Sequence, residues 1–133
     1  TLANAGLGVV HGIAPAIGGL FPVPHGVICG TLLAEATSMN IKKLSESEPS
    51  SDALKKYSRA GFLLSGKEGH GRQGCELLID LLITYTQKLA IPKLSDYGIS
   101  RDDLERILRD SGNKNNPVEL SSEEMSKIIM ARI

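Results

Sequence analysis

Tryptophan is missing from this sequence and aromatic residues make up only 4% of it, so it lacks the stacking platforms on which single-strand nucleic-acid binders hold bases. Net charge is missing as well: 15 basic residues balance 15 acidic ones. That balance excludes the basic footprint of an electrostatic nucleic-acid binder. Cysteine is scarce, and Cys29 and Cys75 form no C-x-x-C pair, so both read as reduced thiols of a cytoplasmic protein, with a disulfide between them as the lesser alternative. Unbroken apolar runs are lacking too. Residues 5–37 are rich in apolar and small types, but His11, Pro15, Pro22, Pro24 and His25 interrupt them. A membrane span needs about 20 nearly continuous apolar residues, so this stretch reads as two buried helices and no membrane partner is expected. No secretory signal is visible, no segment alternates as a strand does, and no methionine opens the chain. The expectation is a fragment, or the remaining part, of a longer chain.

What is present is helical patterning. At 133 residues the chain is one domain at most and large enough for a core. A first helix is expected over about 3–17 and a second over about 25–39, both rich in Gly and Ala, which permits close approach of a neighbouring helix or a ligand. The polar stretch from Lys42 to Asp52 reads as a surface loop. Ser50, Ser51 or Asp52 then caps a third helix near 52–64. Gly66, Gly69, Gly71 and Gly74 mark a turn; no strand precedes them and no glycine-lysine-serine ending follows, so they are no phosphate loop. Over about 71–90, Leu77, Leu78, Leu81, Leu82, Tyr85 and Leu89 recur at helical spacing and read as core, and Pro92 ends that helix. Ser100 to Asp103 and Ser121 to Glu124 have the form of capping boxes, ahead of Leu104, Ile107 and Leu108 and of Met125, Ile128 and Ile129. The fold class is therefore all-α, a helical bundle.

The chemistry lies in His11 and His25. On one continuous helix they would stand about 21 Å apart, too far for any single ion. Between them, however, come Gly18-Gly19 and then Pro22 and Pro24. A glycine pair can end a helix, and two prolines in three residues cannot continue one. A return of the chain there lets both rings converge on one point, and neutral imidazole is the commonest protein ligand for divalent transition metals. Read without further context, His11 is a buried structural histidine and His25 a residue that simply follows Pro24 at a helix start.

The run Asn4-Ala5-Gly6-Leu7-Gly8-Val9-Val10-His11-Gly12-Ile13-Ala14, then Gly18-Gly19-Leu20-Phe21 and Pro24-His25-Gly26-Val27, resembles the iron-containing (group III) alcohol dehydrogenases where their C-terminal helical domain opens. Leu32-Leu33, Leu89 to Leu94, Asn116-Pro117 and Ser121 to Glu124 continue the resemblance in order. It implies that residues 1–133 form a single helical metal-binding domain lacking the N-terminal nucleotide-binding α/β domain. It implies that His11 and His25 are metal ligands, joined in the family by an aspartate and a histidine from an upstream segment. It implies Fe²⁺ or Zn²⁺ as a Lewis acid, NAD or NADP as hydride carrier, and a small alcohol or aldehyde as substrate. The fragment alone is expected to be inactive, and a homo-oligomer is expected. The alternative is a non-catalytic helical interaction or oligomerisation module whose bare apolar face binds a partner or another copy; a third reading is a four-histidine site shared between two chains.

The remaining candidates read as follows. Many family members carry a proton-relay histidine four residues after the first ligand; here that residue is Pro15, which has no group for it. Cys29 lies one turn after His25, where a thiolate can reach a metal shell, but the family does not use it and it reads as a small core residue. Glu35 reads as a surface or capping carboxylate, and His70, beside Lys67, Glu68 and Arg72, as a solvated surface residue. No catalytic or cofactor-contacting residue is assigned.

Overall fold

The computed structural model of the chain describes residues 8–69, 71–111 and 118–133. Helix α1 (Gly8–Leu20) turns Val9, Val10, Ile13, Ala14 and Ile17 inward and leaves His11, Pro15 and Gly19 outward. Its end lies three residues beyond the expected 17, because Gly18 and Gly19 stay helical. The break belongs to the prolines: Pro22 and Pro24 push Phe21 and Val23 out of helical backbone. The expected start near residue 3 lies outside the described residues.

Helix α2 (His25–Ser47) begins as expected and runs well past the expected 39. The polar stretch from Lys42 was expected as loop; its first part, through Ser47, is helix. Ile41 and Leu44 are buried in that last stretch and hold it to the core, and no breaker stands before Pro49. Helix α3 (Asp52–Ser65) starts on Ser51, whose hydroxyl accepts the Leu54 N–H at 3.3 Å. It stops at Gly66, which takes φ +72, a left-handed cap that other residues adopt at a cost.

Helix α4 (Gln73–Lys88) corrects the stripe read from its sequence. Leu78 is buried, Leu77, Leu81 and Leu82 are half-buried, and Tyr85 and Leu89 are exposed. The buried residues are instead Gly74, Cys75 and Leu78, the same pattern set back by three residues, about one turn of the helix. Gly74, expected in a turn, sits in the first turn of α4 and packs on the Ser58 backbone; Gly61 packs on Gly74. The two helices touch backbone to backbone there.

Two 3₁₀ turns (Leu94–Tyr97 and Arg101–Asp103), helix α5 (Leu104–Arg109) and helix α6 (Ser122–Met130) complete the described residues, which contain no strand. Buried side chains form two clusters. One joins α1, the first half of α2, the first 3₁₀ turn, α5 and α6 around Ile13, Ile28, Leu32, Ile107 and Ile129. The other joins the end of α2 to α3 and α4 around Leu44, Tyr57 and Leu78. The long α2 belongs to both and fixes the histidine end of the molecule against the rest. Tyr57 is 1% exposed, and burial pushes its phenol up to about 12 although Asn40 donates to it at 3.3 Å. It is therefore neutral wherever the chain is folded at ordinary pH.

The last helix is tied to α2 by charge. Ser121 and Glu124 form the expected capping box: the Glu124 N–H donates to the Ser121 hydroxyl at 3.2 Å, and the Ser121 N–H to the Glu124 carboxylate at 2.9 Å. Lys43 of α2 donates to the same carboxylate at 2.8 Å. The Lys43 contact first, then the Ser121 N–H, hold the Glu124 carboxyl below its ordinary value of 4.5. Because the folded value is lowered, this stabilisation is present above about pH 4.5 and is lost as pH falls through the folded value. Glu124→Gln is accordingly expected to cost about 1 kcal/mol at pH 7 and less at pH 3. Urea unfolding at the two pH values checks it, and an equal cost at both would contradict it.

Candidate metal centre

The site is built by the four residues that join α1 to α2. The Phe21 N–H still donates to the Ile17 carbonyl at 2.9 Å, so the chain leaves α1 from a closed turn. Pro24 then accepts from the Val27 and Ile28 N–H groups at 3.0 and 3.1 Å, which starts α2. Phe21 lies under the Arg106 guanidinium of α5, 5.8 Å from its ring centroid. Arg106 is aimed by Asp103, which accepts from it at 2.6 Å. The Ser100 N–H, then Arg106, hold the Asp103 carboxyl below its usual range, so it is ionised and keeps that grip at neutral pH.

The return of the chain brings the two sequence-predicted ligands together. The His11 and His25 rings lie nearly parallel, 9° apart, with centroids separated by 6.1 Å instead of the roughly 21 Å of an unbroken helix. Both are exposed, so the buried structural reading of His11 does not hold: it is the one polar side chain on an otherwise apolar helix, and it faces outward. Pro15 lies one turn along the same exposed side of α1, beside the site but without a proton to give. Lacking an N–H, it also leaves the His11 carbonyl without its usual helical donor, which α1 tolerates on its open side.

A third donor joins them. The Cys29 sulfur lies 3.3 Å from Nε2 of His25, one helical turn along α2. Donor atoms of His11, His25 and Cys29 all fall within 4.8 Å of one another, and among the described residues this is the group of three that can share an ion. Cys29 is half-buried and also packs against the core, so the core reading is right for its body and incomplete for its sulfur. Partial burial pushes its thiol up from the ordinary 9.0. Glu35, ten residues along α2 from His25, is about 15 Å further down the helix and takes no part. His70 lies outside the described residues. A separate cavity of about 660 Å³, between α3 and the start of α4 and bordered by Lys55, Arg59 and Arg72, shares no residue with this site.

The donor set suits a borderline divalent ion. Two imidazoles and a sulfur are nitrogen and sulfur ligands of the kind Zn²⁺, Fe²⁺ and Co²⁺ accept, and among the described residues no carboxylate joins them at the site, as Ca²⁺ or Mg²⁺ would need. The tetrahedral bond lengths for such ligands set donor atoms about 3.3–3.8 Å apart. The observed separations reach that with side-chain movements of about 1 Å, which exposed rings allow. The surface around the pair is open: a Cβ at Gly19 or Gly26 would meet nothing within 4 Å.

The whole chain, residues 1–133, matches the profile of the Fe-containing alcohol dehydrogenase family, C-terminal part. It is 27% identical to the NADPH-dependent butanol dehydrogenase of Clostridium saccharobutylicum, over 95% of this chain and 32% of that protein. It is 29% identical to the 1,3-propanediol dehydrogenase of Citrobacter freundii, over 94% of this chain and 32% of that protein. Its fold superposes on the crystal structure of a 1,3-propanediol oxidoreductase with a TM-score of 0.75 at 24% identity, covering 94% of this chain and 32% of that one. It superposes equally well on an archaeal halo-thermophilic alcohol dehydrogenase from a Red Sea brine pool, with a TM-score of 0.76 at 20% identity, over 93% and 32% of the two chains. The chain thus spans about a third of the length of the relatives it matches. With its helical fold, its returning α1–α2 turn and its match from end to end, it belongs to the Fe-containing alcohol dehydrogenase family and corresponds to that family's C-terminal domain.

Proposed function

We propose that this chain is the metal-binding helical part of an NAD(P)-dependent alcohol dehydrogenase, with His11 and His25 as metal ligands. The observation that carries this reading is the convergence of the two exposed imidazoles across the α1–α2 turn. Membership of the family supports the reaction class, alcohol and aldehyde interconversion with a nicotinamide cofactor. The names of the matched relatives support short alcohols or diols as the substrate class.

When bound, the ion supplies Lewis acidity toward a substrate oxygen. The chain's own residues hold the two imidazoles nearly parallel to each other at the mouth of α1 and α2. Gly18, Gly19 and Gly26 keep the neighbouring surface low enough for a cofactor ring and a small substrate to approach. Pro15 leaves no proton relay at the turn after His11, so the proton passes through water or another group. Two imidazoles are half of the ligand set that the family resemblance implies, so the chain by itself binds metal without turning over.

Calorimetry with Zn²⁺ is expected to give one ion per chain, and the loaded chain is expected to show no alcohol-dependent reduction of NAD or NADP. Absence of binding would overturn the ligand assignment. Turnover by these residues alone would overturn the division of labour.

A further inference from the structure

We infer that Cys29 is a third metal ligand supplied by this chain, a thiolate beside the imidazoles of His11 and His25. This rests on the reading of His11 and His25 as ligands. The resemblance assigns nothing to position 29. Three independent features do.

The first is register. His25 and Cys29 stand at i and i+4 on α2, the spacing that puts two side chains on one face of a helix and that helical two-ligand zinc motifs use. The second is distance. The sulfur and His25 Nε2 are already 3.3 Å apart, within the range two ligands of one tetrahedral ion occupy, and His11 completes the triangle from α1. The third is charge. His25 is the first residue of α2, where the helix presents its positive end, and a cation held there by two neutral imidazoles is opposed by that field. A thiolate brings the negative charge that offsets it.

Ordinary core packing accounts for the Cys29 methylene but not for a sulfur turned toward an exposed imidazole. A hydrogen bond from thiol to ring accounts for the Cys29–His25 pair and ring stacking for His11 beside His25, each separately. Ligation accounts for the three donor atoms lying within 4.8 Å of one another with a single cause. On binding, the sulfur–metal bond forms and the sulfur–hydrogen bond breaks, with the proton leaving to solvent. A thiolate also shifts the preference of the site toward Zn²⁺ and away from Fe²⁺, compared with imidazole alone.

Cobalt distinguishes the two levels of this reading, because Co²⁺ substitutes for Zn²⁺ and absorbs in the near ultraviolet only when a thiolate is bound. Titration of the 133-residue chain with Co²⁺ is expected to produce that charge-transfer band. The band should vanish in Cys29→Ser, with binding weaker by about tenfold or more, and persist in Cys75→Ser, whose sulfur lies in the other buried cluster. Binding that depends on His11 and His25 but shows no band, or a band that survives Cys29→Ser, would overturn the thiolate and leave the histidine reading standing. No Co²⁺ binding at all would overturn both.

Discussion

Alanine in place of Gly74 is expected to destabilise the chain by about 2–3 kcal/mol, lowering its midpoint of thermal unfolding by roughly 10 °C. A Cβ on Gly74 would overlap the carbonyl and hydroxyl of Ser58, and one on Gly61 would overlap the Gly74 carbonyl. These neighbours are mostly backbone and cannot swing away, so α3 and α4 must separate. Separation loosens the contacts among Leu54, Tyr57, Cys75 and Leu78, which form the second core. Helix propensity works in the other direction, favouring alanine over glycine by about 1 kcal/mol, and is the smaller term. Gly19 is also helical, yet a Cβ there meets nothing within 4 Å, so Gly19→Ala is expected to stabilise by about 0.5–1 kcal/mol. Thermal or urea unfolding of the two variants should move in opposite directions. Equal and small effects would show that α3 and α4 do not touch at their backbones.

His25→Ala is expected to weaken Zn²⁺ binding on the order of 100-fold or more, and His11→Ala similarly. Loss of a group that merely orients a ligand already costs about 10- to 100-fold, and loss of the ligand itself costs at least that. Stability without metal should change by less than about 0.5 kcal/mol, because both rings are exposed and bury nothing. The two readouts therefore separate. A protein that remains folded but no longer gains thermal stability from zinc has lost a ligand, not its fold. Unchanged zinc affinity in both variants would remove the histidines from the site.

Much of this was legible in the sequence because the strongest signals were local. The cap at Ser121 and the break around Pro22 and Pro24 act within a few residues, and the structure places both where the sequence did; of Ser50, Ser51 and Asp52 it selects Ser51 as the cap. The convergence of His11 and His25 followed from that break. Properties decided by distant neighbours were harder to read. The helical character of Lys42 to Ser47 depends on Leu44 meeting α3 and α4, a contact the local polar composition conceals. Leu81, Tyr85 and Leu89 keep helical spacing but lie away from the face that meets α3, since position along a repeat does not say which repeat faces inward. Gly61 and Gly74 did carry a usable signal, as glycines within or at the edge of apolar helical stretches mark close backbone approach. The sulfur of Cys29 was visible only as a register, one turn from His25; that its donor atom also lies near His11 is a fact of three dimensions.

The most direct measurement is anomalous diffraction at the zinc edge from crystals of the zinc-loaded chain. A single peak about 2.1 Å from a ring nitrogen of both His11 and His25 is the predicted result. A peak elsewhere with these two rings unligated, or no peak in a chain that otherwise keeps this fold, would contradict it.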